Sequence, residues 1–116
     1  MSYIGMRKTY ATINDTFTNI CNLLVAAGWT LHDDINSTAK VYKTQGENDK
    51  YAPAYVRVYN SGSYVEFYIW QYWNASTHTG TLSGYTRPSR VASGDNFVAV
   101  NKDFIITASA GYTGGV

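Results

Sequence analysis

His32, Asp33 and Asp34 stand side by side, an imidazole next to two carboxylates, and these are the groups that general acid–base chemistry uses. A catalytic base must share one side of the chain with the carboxylate that orients it, whereas neighbours on an extended segment point to opposite sides. The triplet therefore reads as a strand passing into a turn, in a structural or solvated role. His78 lies in a polar stretch with no second histidine or carboxylate at ligand spacing, which argues against a metal site. No serine occupies a Gly-x-Ser-x-Gly elbow, and no glycine-rich run follows a strand and opens a helix, so neither an acyl-transfer centre nor a phosphate cradle is indicated. Cys21 is the single cysteine, which excludes an intramolecular disulfide and a multi-cysteine metal site. Its apolar neighbours on a helical pattern mark it as a buried thiol. Sequons at Asn14, Asn36 and Asn74 are the chance product of an Asn- and Thr-rich chain. No enzyme, no cofactor and no metal are expected.

The chemistry that remains is recognition by aromatic rings. The chain holds 11 tyrosines and 3 tryptophans, rigid amphipathic side chains that give contact area at low entropic cost. They concentrate in residues 53–73, PAYVRVYNSGSYVEFYIWQYW, which read as a β-hairpin of two strands rich in Val, Tyr, Phe and Trp around a turn-forming Asn-Ser-Gly-Ser. With Ser61 and Gly62 as a two-residue loop, Tyr59 faces Tyr64, Val58 faces Val65, Arg57 faces Glu66, Val56 faces Phe67 and Tyr55 faces Tyr68. One face is then Val56, Val58, Val65, Phe67 and Ile69. The other carries Tyr55, Arg57, Tyr59, Tyr64, Glu66, Tyr68, Trp70 and Tyr72, and an Arg–Glu pair in its middle argues that it is partly wet. Candidate interface or glycan-stacking residues are Tyr55, Tyr59, Tyr64, Tyr68, Trp70, Tyr72, Trp73 and Tyr85. Three fates are open to this face: cover by the segment that follows, contact with neighbouring subunits, or a sugar stacked on the rings.

The elements that must position these rings follow from periodicity. Residues 1–10 have no clear period and read as an arm or a short edge strand. Ile13, Phe17, Ile20, Leu24 and Ala27 recur at helical spacing, widened by Cys21 and Val25, and Thr12 with Asp15 opens a helix that Gly28 closes, giving 12–27. A meander over 29–73 contains a strand at Trp29–His32, a turn from Asp33 to Thr38, a strand at 40–45 and the hairpin. Residues 74–95 read as a long polar loop, 96–108 as two strands and 109–116 as a tail. The expected class is α+β, one N-terminal helix packed on a mainly antiparallel sheet with a central β-hairpin, in a single domain.

Length and charge narrow the role. A chain of 116 residues builds one modest core. A net charge of +1 without a Lys/Arg cluster gives no field for nucleic acid, and no stretch is apolar enough to span a membrane or to serve as a signal peptide. Synthesis in a cytoplasm without export is expected.

Several segments resemble small virion structural proteins of tailed bacteriophages. They are Gly28-Trp29-Thr30-Leu31 with Asp33-Asp34, KVYKTQGE from Lys40, Tyr72-Trp73-Asn74 with Thr77-His78-Thr79-Gly80, and Asn101-Lys102-Asp103-Phe104-Ile105. The resemblance implies a non-enzymatic subunit built in many copies into the tail, tail tip or neck, contacting copies of itself and other virion proteins. A carbohydrate-recognition domain of a phage receptor-binding structure, contacting host surface glycan, is the alternative.

Overall fold

The computed structural model describes residues 4–10, 12–45, 53–82, 89–91, 94–100, 105–109 and 112–115. In chain order these form β1 (Ile4–Tyr10), α1 (Ile13–Ala26), β2 (Thr30–Asn36), β3 (Ala39–Thr44), β4 (Ala54–Asn60), β5 (Val65–Asn74), β6 (Thr79–Leu82), β7 (Ser89–Val91), β8 (Gly94–Val100), β9 (Ile105–Ser109) and β10 (Tyr112–Gly115). The class is α+β.

The helix forms where its ends are satisfied. Thr12 caps it by accepting a hydrogen bond from the Asp15 amide at 3.2 Å. At the other end Gly28 turns left-handed at φ +104°. The Gly28 amide then bonds the Val25 carbonyl at 3.1 Å and the Trp29 amide bonds the Leu24 carbonyl at 2.9 Å. That double closure satisfies carbonyls the helix leaves open, and the burial of Trp29 with Leu24 seals it. Phe17, Ile20, Cys21, Leu23 and Leu24 are buried, but Val25, placed on the stripe by its spacing, is 55% exposed. Leu23 takes its share of the core because the buried stripe is centred nearer Ile20 and Leu24.

Two antiparallel sheets form among the described residues, one ordered β1-β8-β9-β10 and the other β2-β3-β4-β5-β6. β5 is long enough to pair twice: Trp70–Asn74 runs against β6, while Val65–Phe67 runs against β7. α1 lies against β4 and β5 of one sheet and against β1 and β8 of the other, and β7 lies against β9 and β10. Of the expected apolar face, Val56, Val58, Val65 and Phe67 are buried with the helix side chains, Tyr42 and Val91, and Ile69 packs against them partly buried. Each such side chain contributes about 1.5–3 kcal/mol on burial.

The expected register of β4 against β5 is corrected. Val58 faces Phe67, Arg57 faces Tyr68, Val56 faces Ile69 and Tyr59 faces Glu66. The turn is centred one residue later, on Gly62–Ser63, because Gly62 takes φ +91° at the first central position, where Ser61 would be strained. Ser61 instead closes the turn, its amide donating to the Tyr64 carbonyl at 3.0 Å and its Oγ accepting from the Tyr64 amide at 3.2 Å. A shift of two residues leaves each side chain on its own face, so the face pattern alone could not detect it. Its consequence is that Arg57 no longer sits opposite Glu66.

Other expectations are corrected in the same way. β2 runs on to Asn36 through the segment read as a turn, bulging at Asp33, and the turn is confined to Ser37–Thr38. The segment 74–95, read as loop from its Thr, Ser and Gly content, contains β6 and β7. β6 needs a glycine: a Cβ on Gly80 would stand 2.6 Å from Trp73 Cε3 and 2.9 Å from Trp70 Cε3. Residues 1–10, expected as an arm or a short edge strand, contain β1, an edge strand paired with β8, whereas the expected tail contains β10, paired with β9. Open backbone groups at a sheet edge recruit short polar segments that carry no hydrophobic signature.

Candidate functional site

The face of the larger sheet turned away from α1 carries Ala39, Val41 and Lys43 on β3, Tyr55, Arg57 and Tyr59 on β4, and Glu66, Tyr68 and Trp70 on β5, by the alternation of paired strands. A register shift between Trp70 and Tyr72 breaks that alternation. It returns Trp73 to the side of Trp70, and the two indoles meet edge to face at 4.8 Å. Val41, Tyr55 and Trp73 then form a second buried cluster, flanked by Ile35 and Trp70.

Asp33 pins this cluster. Its carboxylate is only 5% exposed. It accepts from Trp73 Nε1 at 2.8 Å and from His78 Nδ1 at 2.7 Å. His32 Nε2 donates to the Trp73 carbonyl at 3.0 Å, and its ring stands edge-on to Tyr55 at 5.0 Å. Burial pushes the Asp33 carboxyl up, but the hydrogen bonds from His78 and Trp73 and the nearby imidazoles outweigh it and hold it below the usual carboxylate range. The clasp joins β2, β5 and the turn before β6. His78 is set into it by a left-handed φ of +56° and by Asn74, whose Oδ1 accepts from the Ser76 amide at 2.9 Å.

An imidazole oriented by a buried carboxylate is half of a nucleophile-activating triad. No described hydrogen bond joins His78 to a hydroxyl or thiol, and Cys21 lies in the helix-side core, its thiol pushed up by burial. Among the described residues no three His, Cys, Asp or Glu side chains gather to hold a metal. Two of the three sequon asparagines serve as turn acceptors, Asn36 for the Thr38 amide at 2.8 Å and Asn74 as above, and Asn14 accepts from Asn60 Nδ2 at 2.7 Å.

Beside the clasp lies a groove of about 510 Å³, walled by Arg57, Tyr59, Trp70, Trp73, His78 and Gly80. Arg57 rests against two rings, 5.1 Å from the centroid of Tyr59 and 5.8 Å from that of Tyr68. Among the described residues its guanidinium has no ion pair and no hydrogen-bond acceptor. Glu66, its expected partner, is buried and accepts from the Tyr68 hydroxyl at 2.7 Å. The indole N–H of Trp70 is also buried, with no acceptor among the described residues.

The structure thus divides the eight aromatic candidates. Tyr55 and Trp73 are buried and cannot act as open platforms, a correction that follows from the β5 register shift and the β6 cover. Tyr59, Tyr64, Tyr68 and Trp70 are half-buried, and Tyr72 is 54% exposed. Tyr85 lies outside the described residues. The sequence placed Arg57 on this face but opposite Glu66, a pairing the observed register removes, and it did not bring Asp33 and His78 here, because those two meet across 45 positions.

No protein-family model matches the chain, and neither curated proteins nor solved structures give a significant match.

Proposed function

We propose that this chain is a non-enzymatic structural subunit of a bacteriophage virion, in the tail, tail tip or neck, acting through contacts with copies of itself and with other virion proteins. The observation that carries the reading is the outer sheet face, where Arg57, Tyr59, Tyr68 and Trp70 stay half-buried and the exposed ring of Tyr72 stands edge-on to Tyr55, while the opposite face is sealed by α1. Tyr, Trp and Arg are the residue types that dominate the energetic centres of protein contacts. The low charge and the resemblance of several segments to small virion proteins support the same role. Light scattering of the purified protein over a range of concentrations, with sedimentation alongside assembled particles, tests it. A defined oligomer, or protein that pellets with particles and is released by Tyr59→Ala with Tyr72→Ala, is the expected result. A strict monomer that never pellets overturns it.

The second reading is a carbohydrate-recognition domain of a phage receptor-binding structure, and the groove between Tyr59 and Trp70 favours it, since rings beside an open cleft suit the faces of sugars. Silence on a glycan array, together with unchanged tryptophan fluorescence during titration with host polysaccharide, would remove it.

A further inference from the structure

We infer that the outer-face groove is a binding site for a carboxylate-bearing saccharide, with Arg57 as the anchor for the carboxylate and Tyr59 and Trp70 as surfaces for the sugar ring. This rests on the glycan-recognition reading and adds to it the charge of the ligand and the residue that selects it.

Donors and acceptors around the groove are out of balance. Among the described residues no Asp or Glu lines the groove, while Arg57 lines it with a guanidinium that no described hydrogen-bond acceptor or carboxylate meets. A planar fork of five N–H donors matches a carboxylate, which it binds through two parallel hydrogen bonds. Tyr59 and Tyr68 hold the guanidinium between their rings, so little side-chain freedom remains to be lost when an anion arrives. The remaining lining mixes ring surface and the aliphatic Ile35 and Ala39 with polar groups of Asn36, Thr38 and Thr79, a mixture that suits a polyhydroxylated ring.

Size favours a saccharide over a carboxylate on a second protein. A cleft of 510 Å³ falls within the roughly 300–1,000 Å³ typical of small-ligand sites. A stable protein contact would instead call for a broad patch of about 800 Å² on each partner. The net charge of +1 supplies no general attraction for anions, so selection must be local to Arg57.

The test is a fluorescence and calorimetric titration of the full chain with two matched pairs: digalacturonic acid against galactobiose, and sialyllactose against lactose. Saturable binding of at least one acidic sugar, tenfold or more tighter than its neutral counterpart and weakened by added salt, is expected. Arg57→Gln should abolish that preference, and Arg57→Lys should restore part of it, with circular dichroism checking that both variants fold. Equal binding of acidic and neutral sugars, unaffected by Arg57→Gln, would overturn the charge assignment and leave glycan recognition standing. No saturation with any of the four would overturn both. Self-association lost in Arg57→Gln, without sugar binding, would also overturn the inference and assign the groove to a carboxylate of a second copy.

Discussion

The two faces of the larger sheet are built from the same strands, β3, β4 and β5, yet they hold their residues by different physics. Toward α1, Val56, Val58, Val65 and Phe67 meet Phe17, Ile20 and Leu24 in a dry layer with each of these side chains at most 4% exposed. Away from α1, buried rings alternate with hydrogen-bonded charges, and part of the wall stays open as a groove. The lesson is that a sheet can place its stability on one side and keep the other free for contact. The inner face buries mainly apolar side chains and satisfies its few polar groups one by one, as Asn60 does with Asn14, whereas the outer face uses a carboxylate to organise its rings.

The sharpest break of that contrast is Phe67→Ala on the inner face. It should cost about 3–5 kcal/mol, read from chemical denaturation, because the helix and sheet cannot close around the lost ring. If it cost no more than an exposed outer-face change, the division of labour would be wrong.

Gly80→Ala attacks the outer face through its cover. The new methyl would press on Trp70, Trp73 and the Tyr72 carbonyl, so β6 must shift, at a cost of about 1–3 kcal/mol and with a change in tryptophan emission.

Asp33→Asn tests the clasp. Losing the charge under Trp73 and His78 should destabilise by about 1–3 kcal/mol at neutral pH, measured by thermal or urea unfolding. Because the folded carboxyl is held below its unfolded value, its contribution is fully present above the unfolded pKa and fades as pH falls through the folded one. Wild type should therefore lose stability on acidification more steeply than Asp33→Asn, and parallel acid profiles would refute the role given to this carboxylate.

The smallest effect is expected at Tyr72→Ser. With 54% of the residue already in water, stability should change by less than about 0.5 kcal/mol, while contacts made by this face should weaken. A large loss of stability there would mean that the outer face is core after all.

What the sequence made legible follows from local rules. The helix start at Thr12 and its stop at Gly28 are written in the residues that satisfy or bend backbone there, and both occur at those positions. The alternation of residues 54–69 assigned Val56, Val58, Val65 and Phe67 to the core, because a two-residue period survives any even slip of register. The same immunity hid the turn centre, so Arg57 was expected to meet Glu66 and was found against Tyr59 and Tyr68. β6 was missed because its residues pack by the absence of a side chain at Gly80, which composition reads as a loop.

By itself, then, the chain determined its class, its helix and which side of each central strand is apolar, since these depend on neighbours within a few positions. The clasp of Asp33 with Trp73 and His78, the burial of Tyr55 and Trp73, and the open groove around Arg57 were decided only in three dimensions. They depend on one bulge in β5, one turn centre and one glycine contact, and each brings together residues whose distance along the chain gives no hint that they meet.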